Sequence, residues 1–282
     1  DPYENIPTTT RKAVEYVKKQ ASSDKPFFLY FAFPSPHAPI IPNDEFDGKS
    51  GAGPYGDFVY ETDDACGRIL KALEQSGQAD NTIVIFTADN GPEGYAYRRD
   101  EVFDHWSAEP FRGLKRDIYE GGHHVPFIIK WPGLTKSGSV CDKLVSQIDF
   151  MATIASSLGY KLPDNAAEDS HDLLPLLRGK KVNPRTIHVH NTRADAWAIR
   201  VGEWNLIEGK SGYHSRVNKN WETKRNYPAD DKDSVELYHY DQDRSQRVNL
   251  AKKSPKKVAE LQKELKIARE RGFTAPRLLD NE

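Results

Sequence analysis

The stretch Thr82-Ile-Val-Ile-Phe-Thr-Ala88, followed at once by Asp89-Asn90-Gly91, determines the fold prediction. Its apolar, β-branched composition is typical of a strand buried in a parallel sheet. In an open α/β sheet, ligands bind beyond the carboxyl ends of such strands. Asp89 and Asn90 place hard oxygen atoms there, which favours a metal site. The same triplet is also ordinary turn chemistry, because Asn and Asp bond to nearby backbone and Gly adopts positive φ.

Helix and strand patterns alternate on both sides of this stretch, which predicts the α/β class with a parallel sheet. Phe27 to Phe33 is continuously apolar and predicts a strand buried on both faces. Helical spacing of apolar residues from Val59 to Leu73 predicts a helix that ends at Gly77. Pro126 to Trp131 predicts a further strand.

A polar connection at Arg178 to Pro184 separates this region from a different pattern. Short strand patterns follow at Ile187–His190, Ala196–Val201, Trp204–Ile207 and Val235–Tyr240. A final helix begins at Ser254-Pro255 and ends at Gly272. We therefore predict two domains. Residues 1–180 form an α/β domain, which the family resemblance described below identifies as the C-terminal part of a catalytic domain, and residues 181–282 form an α+β subdomain of an antiparallel sheet with one covering helix.

Composition excludes two classes of function for this chain. Its 282 residues include 40 basic and 42 acidic side chains, a net charge of -2, so no global field favours nucleic-acid binding. No apolar run is long enough for a membrane span. Any recognition of an anion must therefore be local.

The segment from Phe111 to Gly133 contains Lys115, Glu120-Gly-Gly122 and His123-His124-Val-Pro126. Together with Asp89-Asn90-Gly91, it resembles the second half of a type I, formylglycine-dependent sulfatase of the alkaline-phosphatase-like superfamily. The resemblance continues through most of the chain, including Pro-Ser-Pro-His37 after the first predicted strand. It implies an alkaline-phosphatase-like parallel-sheet sandwich followed by a small antiparallel sheet.

The resemblance also implies roles for four residues. Asp89 and Asn90 are expected to bind Ca²⁺, or Mg²⁺ in its place. Lys115 is expected to contact the sulfate group, where a buried ammonium stabilises developing negative charge. His37 is expected to protonate the departing oxygen. Taken without the resemblance, a solvated lysine is the favoured interpretation of Lys115, and a structural histidine is the favoured interpretation of His37.

Five further residues are candidate substrate contacts. Arg98 and Arg112 are chosen because long loops at strand ends tend to be functional. His123 and His124 lie inside the sulfatase-like block. The family often has arginine at the second of these positions, and the imidazole of His124 cannot make a bidentate anion contact. His190 is placed at the rim of the pocket, with an outward position on an edge strand as the alternative.

The sequence contains no C-x-P-x-R or S-x-P-x-R run, the motif in which sulfatases of this type form their formylglycine nucleophile. The expectation is that formylglycine, together with the N-terminal sulfatase portion, lies outside this chain. A periplasmic or secreted location is the family expectation.

The predicted function is therefore hydrolysis of a sulfate ester on a saccharide by a complete enzyme of which this chain is one portion. Two alternatives stay open. One is a phosphomonoesterase or phosphodiesterase of the same superfamily, which an unconverted Ser or Thr nucleophile would favour. The other is a non-catalytic sugar-binding remnant, which the absence of the nucleophile from this chain favours.

Overall fold

A computed structural model describes residues 1–193, 196–209, 212–228 and 234–279 of the chain. Its helices are α1 (Asn5–Gln20), α2 (Gly53–Gln75), α3 (Ala96–Phe103), α4 (Phe150–Ser157), α5 (Leu174–Leu177), α6 (Lys219–Lys224), α7 (Pro255–Arg271) and α8 (Pro276–Leu279). Its strands are β1 (Val84–Thr87), β2 (Phe127–Lys130), β3 (Ile187–Asn191), β4 (Trp197–Val201), β5 (Trp204–Glu208) and β6 (Val235–His239). Among the described residues, no helix is both long enough and apolar enough to cross a membrane.

The chain divides into two compact units. Unit 1 comprises Asp1–Val84 and Tyr95–Ser107, and unit 2 comprises Ile85–Gly94 and Ala108–Glu282. These compact units do not coincide with the predicted domains 1–180 and 181–282. The domain boundary at residue 180 stays a prediction.

In unit 1, α1 packs against α2. The buried face of α1 includes Ala13 and Val17. Val17 packs with Ala72 and Leu73 of α2 in one apolar cluster. The helix begins at Asn5. Pro7 is tolerated there because the first helical N–H groups have no intrahelical partner.

The predicted strand from Phe27 to Phe33 is not a strand in the structure. Its alternate residues Phe27, Leu29 and Phe33 pack against the helical clusters of unit 1. Phe28 and Tyr30 point the other way and are 87% and 81% exposed. The prediction of burial on both faces was therefore wrong for this chain, because only one face has partners.

In unit 2, the antiparallel sheet predicted after the polar connection is present, in the order β3-β4-β5-β6. Gly202 makes the β4–β5 turn with φ 57°, and its flanking residues Val201 and Trp204 are paired. The helix α7 begins at Pro255, and Gly272 follows it with φ 78°. These elements confirm the predicted sheet and covering helix.

The two faces of this sheet bury different partners. On one face, Ile199, Leu206 and Leu237 cluster with Leu261 and Leu265 of α7. On the other face, the neighbouring residues Ala198, Ile207 and Tyr238 cluster with Ile118, Tyr119 and Tyr213. Because side chains alternate along each strand, both faces are apolar and both are covered. The second face therefore supports the segment that contains Lys115.

The remaining sheet of unit 2 consists of β1 and β2. A capping box at Ser146 and Asp149 starts the turn that leads into α4. Asp149 is fully buried and also accepts from the Arg185 guanidinium. This network fixes the entrance of α4.

Candidate active site

The two candidate metal ligands follow β1 directly. Asp89 is exposed and Asn90 is half-buried. The Asn90 Nδ2 donates to the Gly91 carbonyl at 2.8 Å, which leaves the amide oxygen of Asn90 for another partner. Within the part of the chain that the structure describes, the Asp89 carboxylate has no hydrogen-bond or ion-pair partner. The strand end thus offers two oxygen donors.

Gln147 holds the backbone immediately before these ligands. Its Nε2 donates to the Thr87 hydroxyl at 2.9 Å and to the Ala88 carbonyl at 2.5 Å. Gln147 lies inside the capping turn of α4, between Ser146 and Asp149. The buried cap of one helix therefore determines where the end of β1 lies.

Glycines let the end of β1 lie against the sulfatase-like segment. The Gly91 N–H donates to the Gly122 carbonyl at 2.8 Å. A Cβ at Gly91 would collide with the Gly121 carbonyl oxygen, and a Cβ at Gly121 would collide with the carbonyl oxygens of Gly113 and Arg112. Backbone packs on backbone at this point, and only glycine leaves room for it.

The segment around Lys115 is anchored through its backbone. The Lys115 N–H donates to the Pro92 carbonyl at 2.8 Å, which joins it to the loop after Asn90. The Ser215 hydroxyl donates to the Lys115 carbonyl at 3.1 Å. The Lys115 side chain is half-buried, and its ammonium has no recorded ion pair among the described residues. The charge of Lys115 is therefore free for a ligand.

Asp117 connects this segment to a much later loop. Its buried carboxylate accepts from the N–H groups of Leu114 at 2.8 Å, His214 at 2.7 Å and Ser215 at 2.8 Å. Burial raises the pKa of Asp117 above its ordinary value, although these N–H groups act in the opposite direction. Sequence reasoning missed Asp117, because nothing local distinguishes it from other acidic residues of this segment.

The described residues supply only part of a metal site. No group of three or more His, Cys, Asp or Glu side chains among them is arranged to hold an ion. Asp89 and Asn90 are nevertheless the hard oxygen donors that Ca²⁺ or Mg²⁺ takes, and Ca²⁺ needs six or more such ligands. The two residues fit a shared site that other ligands complete.

Arg112 lies deep inside unit 2. It is 1% exposed, and its Nε donates to the Tyr213 hydroxyl at 2.6 Å. A second nitrogen donates to the Gln246 carbonyl at 3.1 Å, and the guanidinium lies 4.2 Å from the centre of the Tyr119 ring. These contacts support a structural role for Arg112, and substrate contact stays a prediction.

Histidines cluster beside Glu120. The rings of His123 and His190 are 4.0 Å apart, and the His124 Nδ1 lies 2.8 Å from the Glu120 carboxylate. Burial and the adjacent His190 hold the pKa of His123 well below its usual value. Burial also lowers the pKa of His190, whose Nε2 lies 3.2 Å from the Ile118 carbonyl oxygen. His190 is half-buried on the edge strand β3 and makes these inward contacts, so the alternative of an outward position is not supported.

Two predicted site residues belong to unit 1. His37 is exposed, and its Nδ1 lies 2.7 Å from the Ala38 carbonyl oxygen. Arg98 is exposed on α3. Both are accessible within that unit, and their roles stay predictions.

Two family descriptions match this chain. Residues 5–160 match the family described as Sulfatase. Residues 113–271 match the family described as N-sulphoglucosamine sulphohydrolase, C-terminal.

Individual relatives agree with these matches. An N-acetylgalactosamine-6-O-sulfatase of Bacteroides thetaiotaomicron is 35% identical over 93% of this chain and 50% of its own length. A mouse N-acetylgalactosamine-6-sulfatase is 38% identical over 69% of this chain and 36% of its own length. A solved structure described under the metabolism of multiple glycosaminoglycans by Bacteroides thetaiotaomicron has a TM-score of 0.79 and 31% identity, covering 96% of this chain and 55% of that one. The chain thus spans at most about half the length of these curated relatives.

Proposed function

The chain belongs to the sulfatase family, with its α/β, alkaline-phosphatase-like fold, and we propose that it forms part of an enzyme that hydrolyses sulfate monoesters of carbohydrates. One observation carries the proposal. The backbone bond from Lys115 to Pro92 and the bond from Gly91 to Gly122 hold an unpaired ammonium in a loop adjacent to Asp89 and Asn90. A positive charge beside two hard oxygen donors suits a bound sulfate dianion and a divalent cation.

Each residue has a defined task in this proposal. Asp89 and Asn90 would hold Ca²⁺ or Mg²⁺, which when bound supplies polarisation of the sulfate group. Lys115 donates to a sulfate oxygen and stabilises the charge that develops there. His37 donates a proton to the alcohol oxygen as the ester bond breaks. The formylglycine nucleophile is supplied from outside this chain.

The substrate is proposed from the relatives and from the polar groups near Lys115. Two relatives are named as N-acetylgalactosamine 6-sulfatases, so a 6-sulfated amino sugar is the first substrate to test. His123 and His190 have lowered pKa values, so they are neutral at pH 7 and suited to hydrogen bonds with sugar hydroxyls. His124 and Arg98 are exposed, and they are proposed as outer substrate contacts.

The N-terminal sulfatase portion is the proposed partner of this chain. Phe28 and Tyr30 lie on an extended segment whose outward face has no apolar cover among the described residues. Apolar side chains exposed next to each other on one face are typical of an interaction surface. We propose that the N-terminal sulfatase portion covers this face. This proposal is consistent with the match of this chain to only about half the length of its relatives. A periplasmic or secreted location is proposed on the family expectation alone.

The test uses the complete protein with the N-terminal portion present. Sulfate release from 6-sulfated N-acetylgalactosamine is measured for the wild type, Asp89→Ala and Lys115→Ala. Loss of one transition-state donor costs about 10²–10³ in kcat, so both variants should fall by at least that range. Lys257→Gln, which removes an exposed ion pair on α7, is the matched control. Full turnover in the Lys115 variant, or release of phosphate but not sulfate from matched esters, would overturn the proposal.

A further inference from the structure

Glu93 and Arg116 form a two-pronged ion pair between the loop after Asn90 and the Lys115 segment. Two guanidinium nitrogens of Arg116 donate to the two carboxylate oxygens of Glu93, each at 2.6 Å. The side chain of Arg116 is 38% exposed and that of Glu93 is 31% exposed, so the pair is partly shielded from water. Arg116 directly follows Lys115, and Glu93 directly follows Pro92, whose carbonyl binds the Lys115 N–H.

The backbone of Arg116 is strained. Its φ is +83°, a conformation that favours glycine and costs other residues about 1 kcal/mol or more. A partly exposed ion pair contributes about 1 kcal/mol or less to folding. The gain from the ion pair therefore does not exceed the cost of the strained backbone. Stability alone does not explain an arginine at this position, which indicates a role in the site.

Arg116 also determines which cation Glu93 binds. The hydrogen bond with Arg116, together with smaller contributions that include the charge of Lys115, lowers the pKa of Glu93 to about 2, although partial burial acts in the opposite direction. Glu93 is thus a full carboxylate within electrostatic reach of Lys115. Both oxygens of Glu93 bind Arg116, and the Lys115 ammonium has no carboxylate partner among the described residues.

We propose that Arg116 is a positioning residue that occupies Glu93 and thereby keeps Lys115 free to bind the sulfate group. Without the guanidinium, the Glu93 carboxylate would pair with the adjacent ammonium and draw it away from the substrate. This inference rests on the proposed sulfatase function, because it assigns Lys115 to the sulfate.

The decisive variant is Arg116→Gly in the complete protein. It removes the guanidinium and relieves the strain at φ +83°, so the thermal midpoint should stay level or rise. The value of kcat/KM should fall by about tenfold or more, as expected when a catalytic contact is misplaced. Adding Glu93→Gln should restore kcat/KM to within about threefold of wild type, because the competing carboxylate is gone.

A second readout does not depend on turnover. Calorimetry with inorganic sulfate should show weaker binding to Arg116→Gly than to wild type, with recovery in the double variant. The proposal is overturned if Arg116→Gly keeps wild-type kcat/KM and sulfate affinity, if Glu93→Gln gives no recovery, or if the loss accompanies a lowered thermal midpoint. Failure of the sulfatase assignment appears differently, as a wild type that releases no sulfate.

Discussion

Replacing Arg185 by methionine tests whether the buried ion pair of unit 2 stabilises the fold. The guanidinium donates to Asp149 through Nε at 3.1 Å and through a second nitrogen at 2.5 Å, and both side chains are almost completely buried. It also donates to the Ile187 carbonyl at 3.1 Å and to the Asp169 carbonyl at 2.5 Å. Methionine retains much of the volume, so the effect of the change is mainly electrostatic.

The expected cost follows from the partner that remains. Asp149 would keep two backbone donors, the N–H groups of Ser146 at 2.8 Å and His171 at 2.9 Å, but no opposite charge. Removing one member of a buried pair costs about 3–5 kcal/mol, a large part of the roughly 5–15 kcal/mol that stabilises a typical domain. Urea unfolding of the complete protein, followed by tryptophan fluorescence, measures this loss because Trp197 and Trp204 lie in the sheet of unit 2.

Two outcomes would refute this reasoning. A cost below about 1 kcal/mol for Arg185→Met would show that the buried pair does not stabilise unit 2. Strict additivity with Asp149→Asn would show that the two groups are not coupled, since contacting residues normally deviate from additivity by about 0.5–3 kcal/mol. Lys266→Gln on α7, which removes a solvent-exposed ion pair with Glu270, should change stability by no more than about 0.5 kcal/mol and serves as the control.

Three more predictions concern the surroundings of the site. Gln147→Leu should weaken calcium binding by about tenfold in calorimetry, because the contacts that hold Thr87 and Ala88 ahead of Asp89 are lost; unchanged affinity would contradict this. Gly121→Ala should lower the free energy of unfolding by about 1–3 kcal/mol in the same urea assay, because its Cβ meets backbone oxygens. Burial lowers the pKa of His188 from 6.5 to about 3, so the unfolded chain binds a proton in that interval and the folded chain does not. Stability should therefore fall as pH drops from about 6.5 to 3, and His188→Gln should reduce the slope by up to about 1.4 kcal/mol per pH unit.

The C-terminal sheet could be predicted from the sequence because its signals are local. Four short apolar strands, a Gly202 turn and a capped helix each depend on nearby residues, and β3 to β6 begin within two residues of the prediction. The part of this region at Ala194–Asp195, Lys210–Ser211 and 229–233 lies outside the described residues.

The buried face of α2 was harder to predict. Apolar spacing pointed to Val59 and Leu70, which are 40% and 45% exposed. The buried face of α2 includes the charged residue Glu61, which is only 3% exposed. Its burial is tolerated because its carboxylate accepts hydrogen bonds from the Asn43 N–H at 3.0 Å and from the Asn43 Nδ2 at 2.6 Å. A hydrophobic pattern cannot detect a buried carboxylate whose partner lies 18 residues away.

The candidate site shows the same limit. Asp89, Asn90 and Lys115 could be selected from their motifs and from their place after a strand. Gln147 and Asp117 could not, because Gln147 donates to Thr87 and Ala88 about 60 residues away, and Asp117 accepts from His214 and Ser215 about 100 residues away. Residues that hold a site through such contacts leave no short-range pattern in a single sequence.

The position of Lys115 depends on the C-terminal sheet. Ile118 and Tyr119 are buried on the face of that sheet opposite α7, and the Ile118 N–H donates to the Gly212 carbonyl at 2.9 Å. The Tyr119 hydroxyl donates to the Glu236 carboxylate at 2.8 Å. These contacts lie three and four residues after Lys115, so they fix the backbone from which the ammonium extends. The sulfatase-like motif is therefore held in place by residues that follow it in the chain, and the antiparallel sheet acts as the rigid support of the proposed sulfate contact.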